Sequence, residues 1–147
     1  MKVDKLDLKI LKLLSKNCKR SFRSIAKELG VSTATVISRI ERMRKEGIIK
    51  GYTVLLDHEK LGYQLTVAIE ITISKGKLIE VEKKIAKFPN VLCVYDITGL
   101  TDTLVIAKFK TRKELNDFVK MLLAMPYVER TNTHLVLNTI KEDFRLI

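Results

Sequence analysis

The sequence has no tryptophan, two prolines, six glycines and two cysteines in 147 residues. So little proline and glycine excludes a linker-like or collagen-like chain. Cys18 and Cys93 lie far apart with no Cys-x-x-Cys, and His58 and His134 are the only histidines. Neither a disulfide framework nor a structural zinc site is expected, and a reducing cytosol fits best. No apolar run approaches the roughly 20 residues that span a bilayer; the longest near the C-terminus is Met121–Met125, so no membrane partner is expected. The opening Met1-Lys2-Val3-Asp4 leads into a charged amphipathic segment rather than an apolar signal core. There is no Gly-rich phosphate loop, no metal-ligand spacing and no nucleophile beside either histidine. The chain is therefore expected to be neither an enzyme nor a cofactor protein. His134 reads as a polar residue on an amphipathic strand, and both cysteines as packed side chains.

Hydrophobic residues make up 46% and charged residues 31%, interspersed at regular spacing, which suits one ordinary domain or two small ones. The net charge of +11 is unevenly spread. Residues 1–50 hold 14 Lys/Arg against 5 Asp/Glu, a net +9, while residues 51–147 hold 14 against 12, a net +2. A polyanion partner for the first third, and a different task for the rest, is the simplest reading.

Asp4 is an N-cap type, followed by Leu6, Ile10, Leu13 and Leu14 at helical spacing, with an end near Asn17. A second helix starts at Ser21 and buries Ile25, Ala26 and Leu29; Gly30 supplies the tight turn. Ser32 caps a third, whose inner stripe reads Val36, Ile37, Ile40 and Met43, ending at Gly47. Two short helices joined by a glycine turn form a helix-turn-helix pattern. The opposite stripe of the third helix is Thr35, Ser38, Arg39 and Arg42, with Ser32 and Thr33 at its tip and no acid from Val31 to Ile40. Hydroxyls and Arg can contact base edges, and a helix N-terminus can hold a phosphate. The alternative is an ordinary solvated helix face. On the first reading Thr33, Thr35, Ser38 and Arg39 contact bases, while Arg20, Arg23, Arg42, Lys45 and Lys50 contact phosphate. Residues 48–56 read as a strand leading out of this region, in which Lys50 and Tyr52 either touch the phosphate backbone or are plain strand residues.

Residues 66–74 alternate strictly, with Val67, Ile69, Ile71 and Ile73 on one side, as a half-buried strand does. A helix over 77–88, strands over 91–98 and 102–110, a helix opened by a Thr111/Glu114 capping box with Leu115, Phe118, Val119, Leu122 and Leu123 inside, and a strand over 128–139 complete the pattern. A shift of 37 residues maps Leu78 to Leu115, Ile85 to Leu122 and Pro89 to Pro126. Two strand–helix–strand units make a ferredoxin-like βαββαβ layer with both helices on one face. The open face is expected to be an apolar patch covered by self-association. Tyr95 and Phe109 are thin support for base stacking on that sheet.

These residues resemble the Lrp/AsnC ("feast/famine") family of prokaryotic transcriptional regulators over the whole chain, and the Lys- and Ile-rich composition fits a thermophilic, archaeal member. The likeness rests on Asp7-x-x-Ile10-Leu11-x-Leu13-Leu14, Ile25-Ala26-x-x-Leu29-Gly30-Val31-Ser32, Val36-x-x-Arg39-Ile40, Gly47-Ile48-Ile49-x-Gly51-Tyr52, Leu61-Gly62-Tyr63 and Thr98-Gly99-x-x-Asp102. It implies an α+β chain: a winged-type helix-turn-helix DNA-binding domain over 1–52, a strand and hinge over 53–65, and a ferredoxin-like RAM domain over 66–147 that binds effector and assembles copies. It implies a cytoplasmic, nucleoid-associated regulator that binds double-stranded DNA as a homodimer, octamer or larger assembly. An amino acid would sit against Asp96, Thr98, Gly99, Leu100, Thr101 and Asp102, with Asn116 and Lys120 and with Thr131, Asn132, Thr133 and His134. Backbone amides would hold a carboxylate, and Asp102 would pair with an α-ammonium. Family loops usually read Gly-Asp-Tyr-Asp where this chain has Gly99-Leu100-Thr101-Asp102; the loop either binds an amino acid or serves assembly alone. The other function class is an amino-acid-sensing subunit that docks a protein instead of DNA.

Overall fold

In the computed structural model, which describes residues 3–147, Asp4 opens the first helix, α1 (Lys5–Lys16). Its carboxylate accepts the N–H of Leu6 and Asp7, and Asp7 returns a bond to the Asp4 N–H. This is a capping box closed by aspartate in place of the usual Glu or Gln. Ser21 caps α2 (Phe22–Leu29) and Ser32 caps α3 (Thr33–Lys45), each hydroxyl accepting an N–H three residues on. Between them Gly30 has φ +67, the left-handed conformation that lets α2 stop and the chain turn at once. Ile10, Leu14, Ile25, Ala26, Val36, Ile40 and Met43 form the core of this bundle.

The expected strand over 48–56 does not form. Residues 50–56 run outside any helix or strand, and among the described residues no backbone–backbone hydrogen bond is donated from Lys50 to Leu56. Val54 and Leu55 are exposed. A β-prone sequence becomes a strand only when another strand lies alongside it. The chain divides into two compact units, one running to Leu55 and taking in Lys141–Ile147, the other spanning Leu56–Ile140.

The second unit has the order β1 (Leu65–Ile73), α4 (Leu78–Ile85), β2 (Val91–Asp96), β3 (Thr103–Phe109), α5 (Arg112–Ala124), β4 (Val128–Leu135). Its antiparallel sheet runs β2-β3-β1-β4, the ferredoxin-like βαββαβ arrangement expected from the repeat. Val67, Ile69, Ile71 and Ile73 of β1 and Val105, Ala107 and Phe109 of β3 pack with Val81 and Ile85 of α4 and Phe118 and Leu122 of α5. Phe109 is therefore a core residue, not a stacking platform. Leu123, expected inside, is 50% exposed. The capping box at Thr111 is half-formed: Thr111 Oγ1 accepts the Glu114 N–H, but the Glu114 carboxylate takes the N–H of Lys110. Helix α4 and strand β4 both end earlier than expected, at Ile85 and Leu135.

The other face of the sheet is uncovered by helices, as expected, and it is mixed: apolar along β3 and β2, polar toward β4. Strict alternation sends the β1 isoleucines inward and leaves Thr66, Ala68, Glu70 and Thr72 outside, beside Leu104 and Ile106. Asn132 and His134 of β4 lie against Glu70 and Ala68 on that same face.

Candidate functional site

The exposed part of the helical unit begins at the tip of α3. Ser32 and Thr33 precede a first turn free of acidic residues, and three basic residues stand in its last turn. Positive partial charge at the helix N-terminus, with no carboxylate to mask it, suits a polyanion. The Ser32 hydroxyl caps Thr35 N–H and lies 2.8 Å from Thr35 Oγ1, so those two hydroxyls hold each other at the tip. Ser38, Arg23, Lys45 and Lys50 are exposed, and Thr33 is half-buried.

The arginines of α3 have a different environment from the one their spacing suggests. Arg39 donates to Asp4 and, at 3.2 Å, to Asp7 Oδ1; Arg42 donates to Asp7 Oδ2. Asp7 is fully buried. The Asp4 carboxyl is held down to about 2, chiefly by the Asp7 backbone N–H and then by the Arg39 guanidinium, and Arg39 is raised in return. Arg39, expected at base edges, and Arg42, expected at phosphate, are thus turned toward α1. The reason is charge pairing: a carboxylate buried without partners costs several kcal/mol, and these guanidinium groups satisfy it together with the Asp4 N–H. Arg20 is likewise engaged, with Ser24 Oγ at 2.9 Å and Glu28 at 2.6 Å.

Turning the arginines inward changes which residues face outward. The exposed line on α3 is Ala34, Ile37, Ser38 and Glu41. Ile37, expected in the inner stripe, is 37% exposed. The signal that could have found this was the spacing itself: Val36, Ile40 and Met43 already complete a stripe at i, i+4, i+7, leaving Ile37 surplus.

In the sheet unit the twelve residues expected around an effector fall into separate groups. Asp96, Thr98, Gly99 and Leu100 are exposed, Leu100 by 98%, and Gly99 turns the loop with φ +126. Asp102 is committed in part to structure: its Oδ2 accepts the Ile73 N–H at 2.8 Å, its N–H bonds the Ile71 carbonyl, and its carbonyl accepts from Ile97. Thr101, Asn132 and His134 converge on Glu70, which none of the sequence patterns singled out. The Glu70 carboxylate accepts from Asn132 Nδ2 at 3.2 Å and lies 2.8 Å from His134 Nε2; the His134 contact first, then Asn132, holds its pKa below the ordinary value. Thr131 and Thr133 pair with Ile71 and Ile69, so they point to the helix-covered side of the sheet, opposite to Asn132 and His134. Asn116 and Lys120 are exposed on α5, which packs on that covered side. One group of three therefore forms around Glu70, and the α5 pair lies across the sheet from it. Cys18, expected to be packed, is exposed, and Cys93 is half-buried.

Comparisons with known proteins agree with this two-part reading. Residues 3–44 match the AsnC-type helix-turn-helix domain and residues 66–146 the Lrp/AsnC ligand binding domain. The chain is 49% identical, over 99% of both chains, to a protein of Pyrococcus furiosus described as an uncharacterized HTH-type transcriptional regulator. It is 38% identical to the HTH-type transcriptional regulator FL11 of Pyrococcus horikoshii, over 98% of this chain and 95% of that one. Among solved structures, E. coli AsnC superposes with a TM-score of 0.90 at 26% identity, covering 99% of both chains. The Neisseria meningitidis transcriptional regulator NMB0573, solved in complex with L-Met, gives 0.89 at 28% identity over 99% and 97%. With a helix-turn-helix match over its first third and a ligand-binding-domain match over its sheet unit, the chain belongs to the Lrp/AsnC family of HTH-type transcriptional regulators.

Proposed function

We propose that the protein regulates transcription by reading double-stranded DNA with α3 in the major groove, as a homodimer or a larger assembly. An amino acid held by the sheet unit modulates that binding. The observation that carries the first part is the tip of α3: an exposed, capped helix N-terminus with no acidic residue in its first turn, in a stretch of net charge +9 over residues 1–50. Thr33 and Ser38 are the hydroxyls best placed for base edges, and Arg23, Lys45 and Lys50 the cations best placed for phosphate. Self-association is supported within the helical unit by residues 50–55, which lie in no strand, donate no backbone–backbone hydrogen bond and line an apolar cavity of about 690 Å³ with Leu11, Leu14 and Ile147. A neighbouring copy would satisfy those backbone groups. Two heads would then read half-sites about 34 Å apart, one helical turn.

The effector reading is supported by the match to a ligand binding domain over 66–146 and by the neighbour solved with L-Met. The Thr98–Asp102 loop offers exposed amides and the second carboxylate oxygen of Asp102 to a zwitterion.

In vitro selection of bound DNA, run with and without a panel of amino acids while assembly size is followed by sedimentation, tests the whole reading. A selected pseudo-palindrome and an amino-acid-dependent change in size are expected. Failure to shift any duplex at low salt overturns the DNA part, and indifference to every amino acid overturns the effector part.

A further inference from the structure

We infer that the protein recognises A·T pairs through the C5-methyl group of thymine, with Ile37 as the specificity-determining residue and Ala34 beside it. This rests on the proposal that α3 enters the major groove and goes further, naming what it reads there.

Arginine, through bidentate bonds to guanine, is the commonest specific reader in the major groove. Arg39 is bonded to Asp4 and Asp7, and Arg42 to Asp7. Asp7 has no exposure, so withdrawing either guanidinium to reach a base would cost a buried carboxylate one of its two charged partners. Two acids and two bases there sum to zero charge. Guanine reading by this helix is thereby disfavoured in both geometry and energy.

What α3 presents instead is Ala34, Ile37 and Ser38, at i, i+3 and i+4 on its first two turns. Ile37 leaves 37% of its surface in solvent and stands outside the core cluster of the bundle. A single exposed aliphatic residue is ordinary on a protein surface, but on a helix face that enters a groove it meets whatever apolar group the groove presents. The one apolar group in the major groove is the thymine methyl. The surroundings favour a nucleic-acid occupant over an apolar protein: the tip has no acid, and Arg44 and Lys45 stand exposed about two turns past Ile37. Ser38 adds a hydroxyl that can bond the polar edge of a neighbouring base. Glu41 comes next on the same line and marks where the helix leaves the groove, since a carboxylate is repelled by phosphate.

The test uses the full-length chain and a duplex recovered by selection from random DNA. Each thymine of that duplex is replaced singly by deoxyuridine, which removes the methyl and keeps the base pair. At one or more positions in each half-site the wild type is expected to bind about fourfold more weakly, the effect of one buried methyl. Ile37→Ala should bind the thymine and uracil duplexes alike, with unchanged helix content by circular dichroism. Loss of affinity for the thymine duplex without loss for a random duplex completes the pattern. Uracil without effect at every position overturns the inference, as do guanine-anchored half-sites whose recognition depends on Arg39. A chain that shifts no duplex at low salt fails earlier, at the DNA reading itself.

Discussion

Arg42 on α3 donates to a carboxylate oxygen of Asp7 on α1, and the Asp7 side chain has no exposure to solvent. The two lie thirty-five positions apart, and Arg39 reaches the other oxygen of the same group. The buried acid thus sets how α3 is rotated about its axis against α1, and so which side chains remain outside.

Asp7→Ala should destabilise the helical unit by about 3 kcal/mol, because it leaves two guanidinium groups facing a space built for a charge. Asp7→Asn keeps an acceptor and should cost less. Denaturant unfolding of the two variants orders them; equal stability to wild type would show that the pairing contributes nothing.

Arg39→Ala and Arg42→Ala should leave the salt dependence of DNA binding unchanged, since both charges are already neutralised within the protein. Lys45→Ala or Lys50→Ala should each lower the slope of log K against log salt by about 0.9, one phosphate contact apiece. Titrations between low and moderate salt on cognate and random duplex separate the two classes. A drop in slope for Arg39→Ala would return that residue to the DNA interface.

Asp4 gives a pH dependence with a definite sign. Its pKa falls from 3.8 to about 2 on folding, so the folded state favours the carboxylate. Its stabilising effect is complete above about pH 5 and is lost progressively as pH falls toward 2. Acid unfolding followed by circular dichroism should therefore be shallower over that window in Asp4→Asn than in wild type. Identical acid limbs would remove Asp4 from the account.

Asp102→Ala should cost on the order of 1 kcal/mol, the value of the bond its carboxylate accepts from Ile73 N–H. Asp102→Asn can keep that bond through its amide oxygen but cannot pair ionically with an ammonium group. An unfolding midpoint near wild type together with lost amino-acid binding, measured by calorimetry, is the expected outcome for the asparagine variant. Retained binding would show that the loop holds its ligand by backbone amides alone.

Much of this molecule was written in local pattern. The caps at Asp4, Ser21 and Ser32, the turn at Gly30 and the alternation of Val67 to Ile73 each depend on residues within a few positions of one another, so spacing alone reveals them. The repeat of strand, helix and proline foretold the sheet order because such a unit has few ways to bury its apolar face. The contrast between a net +9 over 1–50 and +2 over 51–147 separated the two tasks before any fold was known.

Only the tertiary structure decided which charges stay available and which apolar residues go outward. Asp7 looks from sequence like one more polar residue on a lysine-rich helix; its burial, and its capture of Arg39 and Arg42, depend on α1 and α3 meeting across a core that neither encodes alone. That meeting put Ile37 in solvent; in the sheet unit, strand pairing gathered Thr101, Asn132 and His134 around Glu70, and residues 50–56 have no strand to join. Pairings between distant segments are set by packing and by the cost of leaving a buried charge unmet, and no window of neighbouring residues contains that information.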